Sequence, residues 1–471
     1  MGRGTRGTSS ETKKYGQPLY ASAWLDERTA LVAGGGGKKS SGIPNRILIA
    51  SYNAEEDQLG DAESWTHTDE DAPQRLAVHP SRTHVVCAFG GSLGVFRTRR
   101  DEAASSTPLG GDGSAARGNG TASASGGEPR WIIEPCVDLG LPPRVSVTPD
   151  EREIKCAAFN GQGTRLALGL ESGEVKILSW PSLEVEKELG AHEKGAVTDI
   201  AWAPDGDGLL TTSAENATTS NIGRGACVWS VERGERVRTL FDESIVKTRA
   251  RNVVFRGAAF GPKSSSSSTS GVAWTGLNLD GEGWVVKWDA ATWRVLSKAR
   301  VFNKEPISGF AVNAQGTLVA VGSSEGHVKV VDALKFTPIK RVKGAHMIFV
   351  TTMAWNPKGN VILSGSADAS GNAMKIRKRS WTLRLILWFT VLVLLTLFWL
   401  TILQFLFPDP LVHALESGDF SRAAQAVSDY FSEGKNPAGA LDQLEEMVED
   451  VVVTATNVAA DAMPTLGRDE L

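Results

Sequence analysis

The feature that most constrains this chain is that it repeats itself. Residues 159–169 read FNGQGTRLALG and residues 312–322 read VNAQGTLVAVG. One residue later the first continues as ESGEVKI (171–177) and the second as SEGHVKV (324–330). A second pair is GAH at 190–192 leading to AWAPDG at 201–206, matched by GAH at 344–346 leading to AWNPKG at 354–359. Self-similarity of this kind marks architectures that stack one supersecondary unit against the next, because a single unit cannot bury its own apolar face. Within each unit, short alternating apolar runs are separated by turns of the N/P-x-G kind, the pattern of antiparallel strands and not of helices.

Units begin near Tyr20, Leu76, Lys155, Val197, Val254, Ile307 and Val350. Seven units over roughly 365 residues give about 50 residues each, slightly more than the usual ~40–45 of a four-stranded propeller blade. Two low-complexity insertions, 101–129 and the serine run at 264–270, absorb the surplus as solvated loops. The Gly-His position ahead of a strand, and Trp288-Asp289 after another, resemble degenerate WD-repeat signatures. The expected fold over residues 1–380 is therefore all-β: a seven-bladed WD-type β-propeller.

A different kind of segment follows. From Leu385 to Phe407 the chain has no charged residue and reads LILWFTVLVLLTLFWLTILQFLF. At about 1.5 Å per residue it reaches roughly 35 Å, enough for a bilayer core of about 30 Å, so residues 385–407 are expected to be one transmembrane helix. Lys375, Arg377, Lys378, Arg379 and Arg384 crowd its N-terminal side. The positive-inside rule then puts the propeller in the cytosol and residues 408–471 in the lumen, a type II arrangement. The tail has three basic residues against thirteen acidic ones, −10, which leaves +6 for the rest of a chain of net charge −4. Two apolar rows in it keep helical spacing: Phe420, Ala424, Val427, Phe431, and Leu441, Leu444, Val448, Val452. Its last residues, Arg468, Asp469, Glu470 and Leu471, resemble the K/H-D-E-L class of endoplasmic-reticulum retrieval signals read by a receptor.

The chemistry-bearing residues argue against catalysis by the chain itself. Cys87, Cys136, Cys156 and Cys227 show no C-x-x-C spacing and are expected as reduced, buried thiols. His192 and His346 occupy the Gly-His position, where an imidazole serves the blade. No Ser/His/Asp or paired-carboxylate grouping can be argued from spacing, and no basic reading helix or finger motif points to nucleic acid.

One segment breaks the blade pattern. Between the strands ALVA (30–33) and RILIA (46–50) lie Gly34, Gly35, Gly36, Gly37, Lys38, Lys39, Ser40, Ser41, Gly42, Ile43, Pro44 and Asn45. A hairpin normally needs two to five residues. The glycines permit positive φ and close backbone approach, and Pro44 stiffens the far end, so the loop is expected to project and present Ile43 and Asn45. It is not a phosphate-binding P-loop. Val32 stands where the first glycine belongs, Lys39 follows Lys38, and no helix is expected after it. Physics alone leaves two readings open: an exposed glycine turn, or a partner-contacting element whose carbonyls hold a hard cation.

GGGG-x4-GIPN directly after the first propeller strands resembles the cation-binding loop of the Sec-twelve family. These are endoplasmic-reticulum guanine-nucleotide exchange factors for the small GTPase Sar, which starts COPII coat assembly. The resemblance covers the whole plan, from the opening strand with Tyr20 to the basic juncture, span and tail. It implies a structural potassium ion held by carbonyls among Gly34, Gly35, Gly36, Gly37, Lys38, Lys39, Ser40, Ser41 and Gly42. It further implies that Asn45 is needed for exchange, with Ile43 and Pro44 beside it, and that the chain does no covalent chemistry of its own. The Lys38-Lys39 pair and the 101–129 insertion depart from the family pattern. A second reading, from another class, is a propeller adaptor that assists membrane cargo out of the endoplasmic reticulum without exchange; the intact GIPN loop favours exchange.

Overall fold

The repeated N-x-x-G turns explain the sheets they join. Asn160, Asn313 and Asn356 are all buried, and each accepts two backbone N–H groups, four and five residues onward, through its Oδ1. The glycine of each turn, Gly163, Gly316 or Gly359, has φ between +62° and +73°, which a side chain would resist. The turn thus hands one strand directly to its antiparallel neighbour. Repeating the device produces blades.

In a computed structural model that describes residues 12–69, 71–101, 130–148, 152–192, 195–215, 225–242, 245, 252–262, 271–377, 381–406, 421, 425 and 428, the described residues form seven antiparallel sheets. Their innermost strands are Leu19–Trp24, Arg75–Val78, Ile154–Phe159, Val197–Trp202, Val253–Phe260, Ile307–Val312 and Val350–Trp355. Each begins within a residue of the expected unit start. The chain is a seven-bladed β-propeller.

What closes the ring is packing between blades. Each of seven hydrophobic clusters joins side chains of two neighbouring blades. One joins Leu210 and Val228 of blade 4 to Leu277 and Trp288 of blade 5. The last joins Leu19, Val32 and Leu48 of blade 1 to Val361 and Leu363 of blade 7. Blade 7 itself is completed from the other end of the chain. Its outermost strand is Lys13–Lys14, paired with Ser370 and Gly371. Tyr15 then donates its backbone N–H to Ala369 and its hydroxyl to Gly60 in blade 1.

The expected insertion in blade 2 leaves the tip of a long ribbon. Strand Ser92–Asp101 pairs with Arg130–Pro135 out to Asp101 opposite Arg130, while Val145–Ser146 pairs with its other end. Residues 102–129 and 263–270 lie outside the described residues. The four cysteines are buried thiols outside any disulfide, as expected. His346 bonds Ser370 (2.6 Å) and Ser364 (2.8 Å), and Thr211 takes both His192 Nε2 and the Trp229 indole at 3.1 Å. Both imidazoles are therefore internal fasteners of their blades.

In the second unit the described residues include the helix Trp381–Leu406, of 26 residues. Its described side chains are those of residues 387–402. Among the described residues no helix is long and apolar enough to cross a membrane. The expected span 385–407 runs past the described side chains at both ends. The tail rows at 420–452 and the ending Arg468, Asp469, Glu470, Leu471 lie outside the described residues.

Candidate functional site

The loop after strand Thr29–Gly34 joins the second and third strands of blade 1 and returns at Arg46–Asn53. Its base is locked by Gln17, which is fully buried. The Gln17 amide donates to the carbonyls of Gly34 (3.2 Å) and Arg46 (2.9 Å), and its oxygen accepts Arg46 Nε at 2.9 Å. Above this base the loop is not wholly irregular. Lys39–Ser41 form one 3-10 turn, with the Ser41 N–H on the Lys38 carbonyl, because serine and lysine tolerate helical φ where the flanking glycines take other values.

Asn45 and Ile43 part company. Ile43 is 39% exposed, whereas Asn45 is 5% exposed and turned inward. Its Oδ1 accepts the Gly37 N–H (2.9 Å), and its Nδ2 donates to the carbonyls of Gly37 (2.5 Å) and Asp69 (3.1 Å). Asn45 thus clasps the loop from within. Of the pair expected to be presented, only Ile43 is; Pro44 is half-buried between them.

The glycines are needed for two distinct reasons. A Cβ on Gly35 would sit 2.1 Å from Asn45 Oδ1, and one on Gly36 would sit 2.3 Å from Ser41 Oγ, so closeness forces both, and Gly35 has a φ of +153° besides. Gly37 and Gly42 have open space around them but φ of +75° and +70°, so those two are forced by conformation.

Three contributors were invisible in the sequence reading. Thr68 donates its backbone N–H to the Asn45 carbonyl at 3.1 Å. Asp69, at φ +61°, offers the carbonyl that Asn45 takes. Arg144, arriving from blade 2, donates to the Thr68 carbonyl at 2.8 Å and lies 3.3 Å over the Phe89 ring. Burial lowers the Arg144 pKa against the pull of Cys87, Asp71 and Asp69. A chain of contacts therefore runs Arg144–Thr68–Asn45–Gly37. Nothing in the spacing of these residues announces it.

The donor set bears on the implied ion. Among the described residues, no hydrogen bond reaches the carbonyls of Gly35 or Gly36, and residues 34–45 include no carboxylate. Neutral oxygens without a compensating negative charge suit a hard monovalent cation better than a divalent one, so the residues present fit potassium. Among the described residues no cluster of His, Cys, Asp or Glu could hold a metal.

The WD domain, G-beta repeat family matches residues 183–218 and 336–370. Each match starts in or just before the outer strand of one blade and runs into the next blade. Over most of its length the chain is also similar to curated proteins. It is 25% identical over 347 residues to SEC12-like protein 2 of Arabidopsis thaliana, covering 72% of this chain and 74% of that one. It is 26% identical over 357 residues to guanine nucleotide-exchange factor SEC12 of Rattus norvegicus, covering 72% and 82%. A shorter similarity, 25% over 235 residues, links it to protein RBL of Arabidopsis thaliana.

Proposed function

We propose that this chain, a propeller protein of the SEC12 family, is a guanine-nucleotide exchange factor that activates the small GTPase Sar at the endoplasmic reticulum and so starts COPII vesicle formation. The observation that carries the reading is the blade 1 loop, which exposes Ile43 on a backbone clamped by Asn45.

Exchange of this kind makes no covalent bond. A propeller that binds the nucleotide-free GTPase better than the loaded one weakens nucleotide binding by the same factor, because linkage is reciprocal. Ile43 is the apolar contact, and Pro44 limits the backbone beside it. Asn45 is the positioning residue: its three hydrogen bonds keep residues 35–44 in one geometry, so less entropy is lost on docking. Potassium would be held by carbonyls within Gly34, Gly35, Gly36, Gly37, Lys38, Lys39, Ser40, Ser41 and Gly42. When bound, it supplies a fixed positive charge that keeps those dipoles converged.

Location follows from the sequence beyond the propeller. An uncharged stretch at 385–407 with a basic N-terminal flank supports a single type II span with the propeller in the cytosol.

The test is release of a fluorescent GDP analogue from Sar in the presence of the full chain in detergent. Wild type should accelerate release at least tenfold, about 1.4 kcal/mol off the barrier. Asn45→Ala should lose most of the maximal rate while its circular dichroism spectrum stays that of the wild type. Binding of Sar without acceleration would overturn exchange in favour of a non-catalytic adaptor.

A further inference from the structure

Met347, Ile348 and Phe349 form a run of three apolar side chains that the propeller leaves in solvent, at 83%, 40% and 47% exposure. Single exposed apolar residues are ordinary; three in succession on an ordered loop are not. The loop carrying them is rigid at both ends. The Met347 N–H is held by Asp368 Oδ2 at 2.7 Å, the Phe349 carbonyl accepts Ser366 Oγ at 2.9 Å, and His346 beside them is buried between Ser364 and Ser370. A backbone fixed this firmly, with its apolar side chains outward, has little entropy left to lose on docking.

Where this tip sits follows from pairing. Thr351 Oγ1 donates to the Leu19 carbonyl, Ser22 meets Thr352 at 2.8 Å, and the Trp24 indole donates to Ala354 at 3.0 Å. The inner strands of blades 7 and 1 thus run side by side in the same direction, so Val350 and Leu19 start at the same rim. Leu19 pairs with Gly34, which puts the 34–45 loop at that rim as well. Met347–Phe349 and Ile43 therefore belong to one face of the ring, on adjacent blades.

Building on the exchange reading, we propose that Met347, Ile348 and Phe349 form a second docking element for the same GTPase, seated against an apolar patch of its surface next to the region met by Ile43. The two elements divide the work. The blade 7 tip supplies affinity through buried apolar area, and the clamped loop supplies the discrimination against nucleotide. Continuity of the face with Ile43 argues for the GTPase as occupant.

The experiment titrates Sar carrying a fluorescent GDP analogue against the full chain in detergent micelles, for wild type, Met347→Ser, Phe349→Ser and Asn45→Ala. Met347→Ser and Phe349→Ser should raise the concentration giving half-maximal exchange about five- to tenfold and leave the plateau rate unchanged. Asn45→Ala should instead lower the plateau. If wild type accelerates release and both tip variants match it in half-maximal concentration, the proposal fails while the exchange reading stands. If wild type does not accelerate release, the exchange reading fails first. A defect seen only in vesicles containing anionic phospholipid, and absent in micelles, would assign the tip to a lipid surface and overturn the proposal. Because Met347 is 83% exposed, its serine variant keeps the test valid should Phe349→Ser misfold.

Discussion

Asn45 shows how far one residue can be read and where the reading stops. Its place in a GIPN sequence drew attention to it, and the expectation was a side chain offered to solvent. Its inward turn depends on Thr68 and Asp69, which reach it only because the fourth strand of blade 1 returns the chain to the same rim. That is a tertiary fact with no local signature. Asn45→Ala should remove three hydrogen bonds, at a cost of roughly 1–3 kcal/mol concentrated in the loop. Hydrogen–deuterium exchange should accordingly show faster labelling at residues 35–44 with inter-blade protection retained. Gly35→Ala should act in the same direction, since its Cβ meets Asn45 Oδ1. Arg144→Ala should loosen residues 68–71 first and the loop through them, whereas loss of protection throughout blade 2 would show that Arg144 serves the blade and not the loop.

At the scale of elements, the sequence was most informative where turn chemistry repeats. Asn and Gly at fixed offsets marked the unit starts correctly, because each turn needs its own buried acceptor and its own positive φ. It was silent on the strand Lys13–Lys14: two lysines carry no apolar pattern, and only the unfilled edge of Ser370–Lys375 gives them a partner. The 3-10 turn at Lys39–Ser41 was hidden for a similar reason, being too short for any periodicity. Deleting residues 1–16 should expose that edge and uncover the space left by Tyr15, 7% exposed in the intact ring. The loss is about 2–3 kcal/mol from the aromatic ring and edge hydrogen bonds. Calorimetry should record a fall in Tm of several degrees. An unchanged Tm would mean that inter-blade packing alone closes the propeller.

At the scale of the whole molecule, two groups, the buried His346 and the partly buried Asp199, couple protonation oppositely to folding. His346 is pushed down to about 4 by burial, against the pull of Asp368, so folding favours its neutral form. That stability is fully present above the ordinary histidine value of about 6.5 and is lost as pH falls toward 4. Asp199 is pushed up to about 6 by burial, opposed by the N–H groups of Ala258 and Ile200 and by Arg75. Folding favours its neutral form too, so it adds stability as pH falls from about 6 toward the ordinary aspartate value. In wild type the two offset between pH 6 and 4. Asp199→Asn removes the second term, and its Tm should drop more steeply than that of wild type over this window. Parallel Tm curves would show that Asp199 does not titrate there.

The seam between blades 7 and 1 has a consequence in time. Ile43 lies near the start of the chain and Phe349 some 300 residues later, yet Thr351 fastens blade 7 directly to Leu19. A ribosome must therefore have released the last blade before the two halves of this rim can meet. Any partner that needs both halves is blind to a nascent or truncated chain.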